Sequence, residues 1–215
     1  METFYKEQFL PDSLYEHIVS GKYKNEVSLK NDFIDKEGVF KGTQTSTQEW
    51  LDKNSFFVKE LKKYLDTIDT IKNHNIDGIQ ILSSFKPFDI HSDWVVTNNQ
   101  IPLCDTKEFP PSYTVIIPLV TGDYYTVIFD QGEEYKDFWK YKEQNNIIEN
   151  YCSEDDWNKY LTHCHKEDQR YISIKKVYRW TKGDIFGFDR RLFHSASHHH
   201  TPKQGIVIWM SYPND

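Results

Sequence analysis

The sequence predicts a mainly β protein with flanking helices (α+β), its strands arranged as a double-sheet jelly roll or barrel. Two observations carry this. Short β-branched and aromatic runs follow one another with turn residues between them, and residues with metal-ligand chemistry fall at the ends of those runs. In chain order, Asp12-Ser13 is placed to cap a first helix carrying Leu14, Ile18 and Val19. Ser46 to Leu51, followed by Phe56, Phe57, Leu61, Tyr64, Leu65 and Ile68, has the spacing of one or two further amphipathic helices. Gly78 to Phe85 is an apolar strand. Tyr113 to Val120 and Tyr125 to Phe129, joined by Thr121-Gly122-Asp123, predict a hairpin. Gln131 to Arg170 interrupts the strands, with Phe138, Trp139 and Tyr141 close together and Trp157, Tyr160 and Leu161 at helical spacing. Strands resume with Ile172 to Trp180, a turn at Lys182-Gly183-Asp184, Ile185 to Phe188, and Gly205 to Tyr212. The organisation expected is one domain over 1–215. Residues 1–77 are mainly helical support, 78–131 and 172–215 supply the barrel strands, and 132–171 form an insertion. That insertion serves either as a lid or substrate-recognition element, or as a helical cover for a sheet edge.

Length and composition suit one catalytic domain. The 215 residues are enough to bury a substantial core, and 38% hydrophobic with 16% aromatic content is ordinary for a globular enzyme. A formal charge of −7 disfavours a phosphate-reading surface, so nucleic acid is not the expected partner. Lys59, Lys62 and Lys63 read as the solvated side of a helix. Cys104, Cys152 and Cys164 show neither a paired framework nor a C-x-x-C motif. With no apolar leader and no run of membrane-spanning length, a reducing cytoplasm without membrane association is the expected location.

The chemistry is concentrated in His91-Ser92-Asp93 and in His194. Residues two apart on extended chain point to one face, so His91 and Asp93 can present an imidazole and a carboxylate side by side. His194, after another apolar run, completes two histidines and one carboxylate, the facial set that leaves open positions on non-haem Fe(II). Two other histidine groups are set aside. In His163-Cys164-His165, placed at a helix or its C-terminal end, i and i+2 do not face each other, so no second metal site is expected. His198-His199-His200 reads as a loop.

These features resemble the Fe(II)/2-oxoglutarate-dependent dioxygenases, and within them the prolyl-hydroxylase-like branch. The resemblance lies in His91-Ser92-Asp93, in Tyr113 to Leu119 followed by Gly122 to Phe129, and in the C-terminal segment. There Gly183-Asp184, then Asp189 to His194, then Lys203 nine residues on and Trp209 six further, have a spacing similar to that of hypoxia-sensing prolyl hydroxylases. Phe9-Leu10-Pro11-Asp12 is similar to the start of the family's N-terminal helix. The likeness covers most of the chain apart from the stretch near 132–170. It implies a cupin-like, double-stranded β-helix barrel with Fe(II) held by His91, Asp93 and His194. It also implies 2-oxoglutarate with its far carboxylate on Lys203, O₂ as oxidant, and ascorbate as an accompanying reductant.

By strand parity Lys203 shares a face with Gly205, Val207 and Trp209, so Gly205 leaves room for the cosubstrate and Trp209 walls the cavity. Relatives in this branch commonly place tyrosine hydroxyls on the cosubstrate, whereas the corresponding positions here hold Ser84 or Phe85, and Pro118. Thr114, or Tyr113 if the register differs by one residue, is the candidate substitute. Arg190 and Arg191 stand next in line for the role of Lys203.

The activity implied is hydroxylation of an unactivated C–H bond with succinate and CO₂ as co-products. A prolyl or other peptidyl side chain is the substrate class that the resemblance favours. A free amino acid, small metabolite or nucleobase is the alternative. Two rival classes are a cupin-like metal enzyme that does not use 2-oxoglutarate, which the Lys203 spacing opposes, and a binding module that has lost turnover, which the complete ligand set opposes. Oligomeric state is not legible.

Overall fold

The computed structural model of this chain describes residues 3–20, 27–29, 46–84, 87–93, 112–132, 138–197 and 203–212. In chain order the strands are β1 (Thr3–Lys6), β2 (Val27–Leu29), β3 (Ser46–Leu51), β4 (Asn75–Ser84), β5 (Tyr113–Pro118), β6 (Tyr125–Phe129), β7 (Ile174–Arg179), β8 (Ile185–Asp189), β9 (His194–Ala196) and β10 (Lys203–Ser211). The helices are α1 (Asp12–Val19), α2 (Phe56–Leu65), α3 (Phe138–Gln144) and α4 (Glu154–Tyr160), with a 3₁₀ turn at Lys166–Tyr171.

Two antiparallel sheets result. The major sheet runs β1-β8-β5-β10-β4-β3-β2 and the minor one β7-β6-β9. The expected jelly-roll layering is present, but no strand ladder among the described residues joins the two sheets into a closed barrel.

Alternation along β5 and β10 decides what lies between the layers. Ile116, Val207 and Trp209 turn inward and meet Ile128, Tyr178, Trp180, Phe186 and Phe188 from both sheets. Tyr113, Val115, Ile117, Ile206, Ile208 and Met210 turn outward and are buried under α1 and α2 through Leu14, Ile18, Phe57, Leu61 and Leu65. Both faces of these central strands are thus apolar, as in a sheet covered on both sides. Each fully buried side chain of this size contributes roughly 1.5–3 kcal/mol.

Two expectations are corrected. Tyr113–Pro118 and Tyr125–Phe129 are not a hairpin: β5 pairs with β8 and β10, whereas β6 pairs with β7 and β9. The Gly122 connection carries the chain from one sheet to the other, which lets consecutive strands cover opposite sides of one interior. Ser46–Leu51 is strand β3, paired with both β2 and β4, and the helix starts only at Phe56 behind the Ser55 cap. Cross-strand pairing outweighs a helical spacing that is too short to nucleate alone. Residues 1–77 thus contribute three strands to the major sheet beside the helices α1 and α2.

The first helix is capped by Pro11, whose extended backbone precedes it, and Asp12 and Ser13 lie within the first turn. Its Val19 is exposed, while Leu14 and Ile18 are buried as expected.

The insertion packs on the outer side of the minor sheet. Phe138, Tyr141, Trp157, Tyr160 and Leu161 form one cluster with Val127, Phe129, Ile172 and Phe193. Trp139 is the exception, 64% exposed. Lys142, ion-paired with Asp168, ties α3 to the 3₁₀ turn and lies 3.9 Å from the Trp139 ring. On α2, Lys63 pairs with Glu60 of the same helix, Lys62 pairs with Asp66 just past its C-terminal end, and Lys59 is solvent-exposed. No helix among the described residues is long and apolar enough to cross a membrane. Cys152 and Cys164 are free, and Cys104, Phe85 and His198 to His200 lie outside the described residues.

Candidate metal centre

Two backbone hydrogen bonds place the histidines. His91 N–H donates to the His194 carbonyl at 3.0 Å and His194 N–H to the His91 carbonyl at 2.8 Å, a one-residue antiparallel bridge at the mouth of β9. Residues so paired project side chains to the same face, and the two imidazole centroids are 4.3 Å apart. The pairing extends to Asp93, whose N–H donates to the Arg190 carbonyl at 3.0 Å. His91, Asp93 and His194 then offer three ligand atoms within 4.8 Å of one another.

The protonation states suit a cation. His91 Nδ1 lies 2.6 Å from the Asp89 carbonyl and His194 Nδ1 lies 3.2 Å from the Leu192 carbonyl. Each Nδ1 proton is thereby engaged, which leaves the lone pair on Nε2 for the site. Burial first, then His91, pushes His194 down to about 4, so its imidazole is neutral at ordinary pH. Burial opposes the charge on Asp93. His194 and His91, then hydrogen bonding by Thr114 and Trp209, outweigh it and hold the carboxyl below its usual range. Thr114 Oγ1 donates to Asp93 Oδ2 at 2.7 Å. Two imidazoles with Nδ1 engaged and a carboxylate held in fixed orientation fit a divalent iron.

Lys203 is 3% exposed at the start of β10, opposite Ser84 of β4. Its Nζ lies 4.6 Å from the Trp180 ring centre, and no carboxylate among the described residues pairs with it. Burial alone pushes it down to about 7. Arg190 and Arg191 are both engaged, with Asp77 at 3.0 Å and Asp189 at 2.6 Å. A buried lysine without a counter-charge among the described residues gains from an anion placed beside it.

Three neighbouring expectations change. Tyr113 is packed in the outer core, 6.2 Å from the Phe4 ring, because it has the opposite parity to Thr114. Thr114 faces inward, but its hydroxyl is committed to Asp93 rather than open to a cosubstrate. The space at Gly205 belongs to Trp180: a Cβ there would come within 2.8 Å of that ring. Trp209 does line the interior, stacked on Trp50 at 5.3 Å, with its indole on the Asp93 side of the cavity. Ser84 is fully buried, and the inward-facing Pro118 offers no donor.

A further group departs from expectation. Asp89, His163 and Cys164 bring ligand atoms within 4.8 Å of one another, although His165 takes no part. No local pattern signals it, because Asp89 comes from a segment remote in sequence.

No protein-family model and no curated protein matches this sequence. Solved structures do. HygX from Streptomyces hygroscopicus, with nickel and 2-oxoglutarate bound, aligns over 97% of this chain and 82% of its own at 10% identity and a TM-score of 0.56. The 2-oxoglutarate-dependent carbocyclase SnoK from nogalamycin biosynthesis aligns over 97% and 80% at 10% identity and a TM-score of 0.53. The viral collagen prolyl hydroxylase of Paramecium Bursaria Chlorella virus-1, a 2-oxoglutarate complex, aligns over 100% and 97% at 13% identity and a TM-score of 0.50. At such identities the likeness is one of fold, and the fold of this chain is that of the 2-oxoglutarate/Fe(II) oxygenases, prolyl hydroxylases among them.

Proposed function

We propose that this chain is an Fe(II)- and 2-oxoglutarate-dependent oxygenase that hydroxylates an unactivated C–H bond, with a prolyl or other peptidyl side chain as substrate class. The observation that carries the reading is the conjunction of a complete His91, Asp93, His194 ligand set with Lys203, a buried lysine that no carboxylate among the described residues pairs with. A metal site alone suits many cupin-like enzymes, whereas a metal site with an unpaired interior lysine suits a cosubstrate that chelates at one end and carries a carboxylate at the other.

Bound Fe(II) would supply the redox centre at which 2-oxoglutarate and O₂ become succinate and CO₂, with the second oxygen atom entering the C–H bond. The protein's residues provide position and charge. His91 and His194 present their Nε2 atoms, Thr114 fixes the Asp93 carboxylate, and Lys203 orients the far carboxylate of the cosubstrate. Trp180 and Trp209 keep water from the interior, which strengthens that ion pair.

Support for a peptidyl substrate comes from the C-terminal spacing and from the prolyl hydroxylase that this chain matches over nearly its full length. SnoK, with the same fold, is a carbocyclase, so a small metabolite is the reading to test beside it. The chain is proposed to act as a single catalytic unit.

Succinate formation from 2-oxoglutarate with Fe(II), in the presence and absence of proline-containing peptides, is the direct test. Alanine at His91, Asp93 or His194 is expected to abolish it while circular dichroism remains that of the parent. Undiminished turnover in Asp93→Ala under limiting Fe(II) rules the assignment out.

A further inference from the structure

Directly behind the iron ligands lies a second group of ligand-type side chains. Asp89 is exposed and precedes His91 by two residues, while His163 and Cys164 are half-buried in the turn that follows α4. Their ligand atoms lie within 4.8 Å of one another, a separation that one metal ion can span.

The hydrogen bonds around His163 set its tautomer. His163 Nε2 lies 3.2 Å from the Phe88 carbonyl and 3.1 Å from Ser195 Oγ, and Ser195 Oγ itself donates to the Phe88 carbonyl at 2.8 Å. With the proton held on Nε2, the lone pair of a neutral imidazole is on Nδ1. An N–H anchored to a backbone carbonyl is the usual outer support of a metal-bound histidine. Metal-free Cys164 is a poor nucleophile, because burial pushes its thiol up to about 12, so a reactive-thiolate role is disfavoured.

We propose that Asp89, His163 and Cys164 form a second metal site, for a borderline divalent ion of the Zn²⁺ class, with a water or a further ligand completing four-coordination. One sulfur, one nitrogen and one oxygen donor suit Zn²⁺ and Co²⁺ better than Mg²⁺ or Ca²⁺, which prefer oxygen alone. The placement gives the ion a structural task. It would clip the turn after α4, part of the insertion, to the loop that carries His91 and Asp93. Two links run on to the iron ligands: the Asp89 carbonyl lies 2.6 Å from His91 Nδ1, and Ser195, the neighbour of His163, follows His194 in β9.

Cobalt titration of the full chain tests this independently of any oxygenase activity, because the His91, Asp93, His194 set contains no thiol. The parent is expected to bind two Co²⁺ and to show a thiolate-to-cobalt charge-transfer band. Cys164→Ser should bind one and lose the band, and Asp93→Ala should bind one and keep it. The proposal is overturned if the parent shows no such band, if Cys164→Ser retains it, or if Asp93→Ala loses it. Should Cys164→Ser fail to fold, Asp89→Ala at its exposed position gives the same reading: at least tenfold weaker cobalt binding at the thiolate site supports the proposal, and unchanged binding overturns it. Zn²⁺ should also raise the melting temperature of Asp93→Ala, and not of the Asp93→Ala, Cys164→Ser double variant.

Discussion

Replacing Lys203 by Met is expected to strengthen the metal-free protein while destroying its affinity for 2-oxoglutarate. Burial lowers this lysine from its ordinary 10.5 to about 7. A tenfold change in an equilibrium is about 1.4 kcal/mol, so the charged form costs roughly 5 kcal/mol in the folded, ligand-free chain. The sign follows from proton counting. Between pH 7 and 10.5 the unfolded chain carries the lysine proton and the folded chain does not, so stability rises with pH across that window, and the full penalty applies below about pH 7. Lys203→Met removes the penalty and should flatten this rise in urea unfolding measured from pH 6 to 9.

Binding runs the other way. A cosubstrate carboxylate repairs the missing ion pair, a contribution of roughly 2–5 kcal/mol or about 30- to several-thousand-fold in affinity. Calorimetric titration of the Mn²⁺-loaded protein with 2-oxoglutarate, without O₂, measures it. Proton uptake should accompany binding near pH 7, and affinity should fall as pH rises above 7. An affinity in Lys203→Met equal to that of the parent, or binding without proton uptake, refutes the assignment.

Further outcomes follow from neighbouring contacts. Thr114→Val removes the donor to Asp93 and should weaken Mn²⁺ binding roughly tenfold, with little change in 2-oxoglutarate affinity at saturating metal; equilibrium dialysis separates the two. Gly205→Ala forces a methyl to within 2.8 Å of Trp180 and should lower stability by roughly 1–3 kcal/mol by denaturant melting, whereas a neutral result would mean that Trp180 moves without cost. Trp157→Ala should cost about 3–5 kcal/mol, since its side chain is fully buried against the minor sheet. Trp139→Ala, on the same insertion but exposed, should leave stability within about 0.5 kcal/mol and raise KM for the true substrate if the insertion selects it.

Much of the molecule was legible in one dimension because the relevant signals are local. Alternation is a property of neighbouring residues, so the inward face of β10, with Lys203, Val207 and Trp209, could be read without knowing what it meets. The His91 and Asp93 pairing is likewise local, and the structure brings ligand atoms of His91, Asp93 and His194 within 4.8 Å of one another. What the sequence left open depends on partners remote along the chain. The same Tyr113–Pro118 and Tyr125–Phe129 runs serve a hairpin or two opposing sheets, and only the competition of β8, β9 and β10 for their edges decides. Ser46–Leu51 becomes a strand because β4 offers an unpaired edge. Thr114 binds Asp93 rather than a cosubstrate, Gly205 yields its space to Trp180, and Asp89 meets Cys164, all through contacts between segments far apart. Residue type and period fix which face a side chain takes; packing across the interior fixes what it finds there.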